Sequence, residues 1–346
     1  MKNMRWIFAL LVFGLALTVL AQQRGAQQYW EPPSSVRTDI EVVPVRGNIY
    51  LLSGAGANIT ASVGPEGVLL VDSGRSEMSD KVLAAVQHLN HELSVAGKPI
   101  ASSKPVKPIR YIVNTSPLPE HAGGNEKLAE AGKTFTGGNV TAEFADAAEG
   151  ASILAHENAL QRLSDAKVPS KGLPMETYFG RVMKLSHFFN GEGVELFHIP
   201  AAVTDGDSLV YFRSSDVIAA GDIFNMNSYP FIDLQRGGSV QGVLAGLNRM
   251  LDIVVPEFRS EGGTMVIPGH GRICDTADLG YYRDMVTIIR DRIQDMIKRN
   301  MTLEQVKAAK PTEDWDPRFG TNASWTPDMF VEAVYKSLEK SSVQTK

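Results

Sequence analysis

At 346 residues, with 43% hydrophobic and 21% charged side chains, the chain has an ordinary globular composition and enough length for one large domain or two smaller ones. Lys and Arg total 34 against 39 Asp and Glu, a formal charge of −5, which argues against general affinity for nucleic acid or an anionic membrane surface and leaves small molecules or proteins as partners. The 31 glycines and 18 prolines point to many tight connections, and the single cysteine, Cys274, excludes an intrachain disulfide and a cysteine-based zinc cluster.

The chain opens on Lys2 and Arg5, followed by an apolar run from Trp6 to Leu20 and the small-residue geometry of Val19 to Ala21. This pattern reads as an export signal over residues 1–21, with cleavage after Ala21 and a periplasmic or secreted mature protein. About 15 apolar residues is short for a span that needs roughly 20, so no stable membrane insertion is expected after cleavage. Losing Lys2 and Arg5 takes the charge from −5 to −7. Residues 22–38, rich in Gln and Pro and without periodicity, read as a flexible mature N-terminus.

From about Asp39 the runs Ile40 to Val45, Ile49 to Leu52, Asn58 to Val63 and Val68 to Val71, separated by Gly-containing turns, predict a meander of antiparallel strands. Ser76 to Asn90 carries Val82, Ala85, Val86 and Leu89 at helix spacing. Lys98 to Lys107, with two prolines and two serines, reads as a surface insertion. A strand at Arg110 to Asn114, a helix around Leu128, a strand at Ile153 and Leu154, and a helix over Ala159 to Leu163 follow. A second strand cluster is expected at Gly193 to His198, Ser208 to Phe212, Val217 to Ala219 and Thr264 to Ile267, with helices at Ser239 to Val254 and Asp278 to Arg299. Two mixed halves of this kind imply two sheets packed face to face with helices outside. Thr302 to Lys310 and Pro327 to Lys340 read as polar-faced helices, so residues 39–300 form the expected main domain and 301–346 a C-terminal helical extension.

Three loops after apolar strands hold acid and imidazole groups: Asn114 to Asn125, Pro200 to Asp207 with Gly221 and Asp222, and Pro268 to Asp275. The segment Asn114-Thr115-Ser116-Pro117-Leu118-Pro119-Glu120-His121-Ala122-Gly123-Gly124-Asn125 resembles the metallo-β-lactamase superfamily signature N-T-H-x-H-x-D-H-x-G-G-N, with intact flanks and an altered centre. Val68 to Gly74 is similar to the family's strand ending in Asp-Ser/Thr-Gly. Pro200 to Asp207 resembles its P-x-H-T-x-G-D loop, Ala220 to Phe224 its G-D-x-F, and Ile267 to Gly271 its P-G-H-G. The resemblance implies an α/β chain folded as a four-layer αββα sandwich of two mixed sheets with outer helices, and a site at one edge between the sheets.

Members of that family bind two metal ions. The first two signature histidines and the P-x-H-T histidine hold the first ion; the signature Asp and last His with the P-G-H-G histidine hold the second, and the G-D-x-F Asp bridges both. In this chain Ser116, Leu118 and Val203 stand where the three histidines of the first ion would be, so that position has lost its donors. Glu120, His121, Asp222 and His270 stand at the positions of the second. They imply a mononuclear site for one Zn, Fe or Mn ion, with Glu120 or Asp222 as base; the alternative is a vestigial site holding none. In the vestigial reading Glu120 is displaced by its extra methylene, His121 caps a helix start and Asp222 accepts backbone hydrogen bonds.

Asp72, which in the family orients a histidine of the first ion, would have lost that partner and reads as a turn cap. Asp205 and Asp207 are expected to bind backbone, His156 to pack at a helix start, His198 to sit in the core and Cys274 to be a small buried residue. A Ser116–His121 hydrolytic dyad lacks an acid partner, and neither a G-x-S-x-G elbow nor a dinucleotide loop is present. Two functions remain: an exported one-metal hydrolase of a small ester, lactam, thioester or phosphorus-containing substrate, or a non-catalytic descendant that binds a small ligand or protein partner in the old cleft. Specificity would reside in loops such as Lys98 to Lys107 and Pro169 to Gly180.

Overall fold

The computed structural model describes residues 40–95, 107–134, 150–185, 187–255 and 262–344. The expected export signal, residues 22–38 and all of the Lys98–Lys107 insertion except Lys107 lie outside the described residues.

The opening meander forms as expected. Strands β1 (Glu41–Arg46), β2 (Ile49–Ser53), β3 (Ile59–Gly64) and β4 (Gly67–Val71) pair antiparallel in sequence order. Every residue of β4 is buried, which its Val-Leu-Leu-Val run accommodates because apolar side chains then face both sides of the sheet. Helix α1 (Ser79–Val95), preceded by a 3₁₀ turn at Ser76–Met78, lays Val82, Val86 and Leu89 on one side of this sheet against Leu52, Ala61 and Leu70. The chain then returns in parallel through β5 (Ile109–Val113), the short helices α2 (Pro119–Ala122) and α3 (Asn125–Glu130), β6 (Ser152–His156), α4 (Glu157–Asp165) and β7 (Glu176–Tyr178). The result is a seven-stranded sheet in simple sequence order.

A second sheet of five strands has the order β12-β11-β10-β9-β8. Strands β8 (Val182–Lys184), β9 (Val194–Ile199), β10 (Asp207–Phe212) and β11 (Val217–Ala219) are antiparallel neighbours, and β12 (Met265–Ile267) runs parallel to β11. The inner core between the sheets holds Ile49, Leu51, Val71, Val113 and Leu154 of the first sheet against Leu196, Val210, Phe212 and Val217 of the second. Helices α5 (Val240–Ile253) and α6 (Thr276–Lys298) cover the outer side of the second sheet, completing the expected αββα sandwich. Each begins where a side-chain cap allows: Ser239 accepts from the Gly242 N–H, and Asp275 from those of Ala277 and Asp278.

Strands β7 and β8 were not expected. They are three-residue edge strands, mostly outside the core and without apolar alternation, so no periodic signal marks them. Part of the Pro169–Gly180 loop is therefore the rim of the first sheet. The C-terminal helices α7 (Leu303–Ala308), α8 (Asp316–Phe319) and α9 (Pro327–Gln344) follow, α9 packing on α5 and α6. Their inner faces are less polar than expected. Tyr229 stacks on Phe330 with ring centroids 4.8 Å apart, and Tyr282 meets Phe319 edge-on at 5.6 Å. No helix among the described residues is long and apolar enough to cross a membrane.

Candidate metal centre

The loops that carry acid and imidazole groups leave β4, β5, β11 and β12, and backbone hydrogen bonds lace them together. Ser73 N–H donates to His121 O at 2.7 Å, Gly124 N–H to Gly74 O at 2.9 Å, Gly269 N–H to Gly221 O at 2.8 Å and Asn58 N–H to Gly269 O at 2.7 Å. Asn58 Nδ2 adds bonds to the carbonyls of Pro268 and Gly271, both 2.9 Å, and Asn114 and Asn125 exchange side-chain hydrogen bonds across the signature loop. The intact flanks of the signature thus serve as framework.

Within this framework Glu120, His121, Asp222 and His270 each offer one ligand atom, and these atoms all lie within 4.8 Å of one another. His121 Nε2 is 3.1 Å from Asp222 Oδ2; His270 Nε2 is 3.3 Å from Asp222 Oδ1 and 3.6 Å from Glu120 Oε1. Glu120, His121 and Asp222 are buried, and His270 is nearly so. Gly269 makes room for the group: a Cβ there would lie 2.1 Å from Asp222 Oδ1, so only glycine lets that carboxylate face the imidazoles.

The vestigial reading makes two claims that the geometry contradicts. His121 caps no helix, since α2 has Leu118 at its N-cap with no side-chain hydrogen bond; its Nδ1 instead bonds Asp72 Oδ2 at 2.8 Å. Asp222 accepts no backbone hydrogen bond: both of its oxygens, with Glu120 Oε2 and His121 Nε2, are buried without a hydrogen-bond partner. These buried groups meet one another through ion-pair contacts of 3.1–3.6 Å rather than through bonds to the backbone, and they converge on one point. Two imidazoles and two carboxylates are a donor set that Zn, Fe or Mn accepts, so the residues fit one metal ion.

Electrostatics follow from this crowding. Burial alone would lower the His121 imidazolium, but Asp222 and Asp72 outweigh it and hold it well above the ordinary histidine range. For His270 burial is likewise outweighed by Asp222 and Glu120, pushing it up to about 10. Burial raises Asp222, yet the two imidazoles hold its carboxyl far below the usual range.

Asp72 requires a correction. Its carboxylate accepts from the Thr115 N–H at 2.7 Å, the Thr115 hydroxyl at 2.6 Å and the His121 ring, so it orients a candidate ligand histidine rather than merely capping a turn. Asp72 thus supplies the acid partner that the Ser116–His121 dyad was expected to lack, but the other ring nitrogen, Nε2, faces Asp222 at 3.1 Å, which leaves no ring nitrogen for Ser116. Ser116, Leu118 and Val203 are all buried. Asp207 binds backbone as expected, taking the Thr204 N–H at 2.6 Å, whereas Asp205 pairs with the Arg162 guanidinium at 2.6 Å. His156 sits at a helix start, accepting from the Asn158 N–H, and its ring stacks on His198 at 3.5 Å. His198 is half-buried rather than in the core, with Nδ1 3.2 Å from Asp207 O. Cys274 is buried, and burial pushes its thiol up to about 12.

One neighbour of the centre was missed. Arg75, directly after Asp72-Ser73-Gly74, brings Nη2 to 3.6 Å from Glu120 Oε2. Its position at the end of β4, in a chain whose other site loops also follow strand ends, was the available signal.

Comparison with known proteins agrees with this architecture. No curated protein sequence matches the chain. Among solved structures, the DIM-1 metallo-β-lactamase superposes with a TM-score of 0.51 at 16% identity, covering 74% of this chain and 99% of that one. The stereoselective inverting sec-alkylsulfatase Pisa1 from Pseudomonas sp. gives 0.60 at 15% identity over 86% of this chain, which spans half of the sulfatase's length. A family model described as the metallo-beta-lactamase superfamily matches residues 45–270, which include all four candidate ligands. With its sheet order, its signature framework and that match in agreement, the chain belongs to the metallo-β-lactamase superfamily.

Proposed function

We propose that the chain binds one divalent ion, Zn or else Fe or Mn, at Glu120, His121, Asp222 and His270, and hydrolyses a small molecule of the ester, lactam or thioester type. The observation that carries this reading is the convergence of one ligand atom from each of the four residues within 4.8 Å, with Glu120, His121 and Asp222 buried. A bound ion supplies Lewis acidity and lowers the pKa of water toward about 7. Asp72 fixes the His121 ring through Nδ1 so that Nε2 faces Asp222. Glu120, whose Oε2 carries no hydrogen bond, is the carboxylate placed to accept a proton, with Asp222 as the second candidate. The names of the two structural neighbours point to lactams and alkyl sulfates; at 15–16% identity neither substrate transfers by likeness alone.

A non-catalytic ligand-binding role is the second reading. What favours it is the burial of Ser116, Leu118 and Val203 at the positions of the first ion's ligands. Export as a periplasmic or secreted protein, with residues 39–300 as the hydrolase-like domain, is part of the proposal and rests on Lys2, Arg5 and the apolar run that follows.

Metal analysis of the purified mature protein separates the two readings. About one ion per chain, lost in His270→Ala, is expected; a folded protein that takes up no Zn, Fe or Mn when offered each in turn sinks the hydrolase. Restoring histidine at Ser116, Leu118 and Val203 together should add a second ion and hydrolytic activity.

A further inference from the structure

Arg75 is built into the candidate centre with care that an ordinary surface arginine does not need. Its backbone N–H donates to Ala55 O at 2.8 Å, tying it to the loop after β2. Its side chain crosses Gly56, where a Cβ would come within 2.7 Å of Arg75 Cγ and 3.0 Å of Cδ. Gly56 also has a φ of +102°, so both the close approach and the backbone conformation call for glycine.

The side chain is 17% exposed, with Nη2 3.6 Å from Glu120 Oε2 and Nη1 3.8 Å from Glu77 Oε1. Those are ion-pair contacts, too long for hydrogen bonds. Nε is buried and makes no hydrogen bond, and neither does the Glu120 Oε2 that the guanidinium approaches. Glu77 is 61% exposed, so its attraction is screened by solvent. With Glu120 engaged on an ion, Arg75 would stand beside the centre as a cation whose Nε makes no hydrogen bond and whose Nη2 is held only by a 3.6 Å ion-pair contact. A planar fork of this kind matches two oxygens of an oxyanion.

We infer that Arg75 is the anion-recognition residue of this centre, and that the ligand carries a phosphate, sulfate or carboxylate oxyanion seated on the Arg75 fork beside the metal ion. The inference rests on the one-metal reading and deepens it from a small molecule to an anionic one. It also assigns a role to Gly56, which leaves the path along which the side chain reaches the centre.

The test uses the metal-loaded full chain, with bound metal counted before any anion is added. Equilibrium dialysis then measures binding of inorganic phosphate, sulfate and acetate to wild type, Arg75→Met and Arg75→Gln; the glutamine variant keeps a polar side chain of similar reach should the methionine variant fold poorly. The expected result is one ion per chain in all three proteins, with anion affinity at least about tenfold weaker in both variants, since hydrogen bonds to charged groups are the strong ones. The relative affinities of phosphate, sulfate and acetate tell a tetrahedral from a planar oxyanion. Unchanged anion affinity in a variant that holds its ion overturns the inference, as does a loaded wild type that binds none of the three anions. A wild type without metal overturns the one-metal reading, and this inference with it, and the initial metal count identifies that outcome.

Discussion

Loading the centre with a divalent ion should expel about two protons per chain near neutral pH. In the metal-free protein His121 and His270 are both held as imidazolium, because Asp222, Asp72 and Glu120 outweigh the burial that opposes their charge. A histidine ligand must be neutral, so each ring gives up its proton when an ion binds. With His270 at about 10, loading at pH 7 works against roughly three pH units, or about 4 kcal/mol at 1.36 kcal/mol per unit. Two protons released per ion make the apparent association constant rise about 100-fold per pH unit across the neutral range. Titration calorimetry with zinc in buffers of different ionisation enthalpy measures the proton count as the slope of observed against buffer enthalpy. A slope near two supports the protonated pair. A slope near zero with one zinc bound would refute the reasoning, since the rings would then have been neutral from the start.

Asp72→Asn removes the charge that holds His121 through Nδ1 and should weaken zinc affinity by about 10–100-fold; competition with a chromophoric chelator measures it, and an unchanged affinity would show that the contact orients nothing. Gly269→Ala places a Cβ 2.1 Å from Asp222 Oδ1, so urea denaturation should show a loss of about 1–3 kcal/mol and metal analysis a loss of the ion; wild-type values for both would contradict the close approach. Burial and the stacked His156 pull His198 down to about 4, below the ordinary value of about 6.5. The unfolded chain therefore binds that proton first as the solution is acidified, and the stability contribution is full above about pH 6.5 and lost as pH falls toward about 4. Allowing for screening at this half-exposed ring, the loss is about 1 kcal/mol, and urea midpoints of His198→Phe should lack that part of the acid slope.

The periodic parts of the fold were legible. The four-strand meander, the parallel return through β5 and β6 and the long helix α6 carry alternating or helical apolar spacing that burial enforces, and each formed within a few residues of its expected bounds. Strands β7 and β8 were invisible because a three-residue edge strand with at most one inward side chain has no pattern to read. The polar face expected of the helix at Pro327 to Lys340 hid Phe330 and Leu338, both buried, and the short helix α8, which buries Phe319, was not expected.

At the candidate centre, residue chemistry spoke for the four donors and for the loss of three others, because a lone pair is present or absent in a side chain whatever the fold. The choice of partner was different. Asp72 and His121 are 49 residues apart, and Asp205 could have met backbone or Arg162, 43 residues away. Local sequence thus determined which groups carry charge and lone pairs and which segments form strands and helices. Only the tertiary structure decided that Asp72 turns to His121, that Asp222 faces two imidazoles and that Arg75 crosses Gly56 to reach Glu120, because these contacts depend on sub-ångström distances between loops that only the packing of the two sheets brings together.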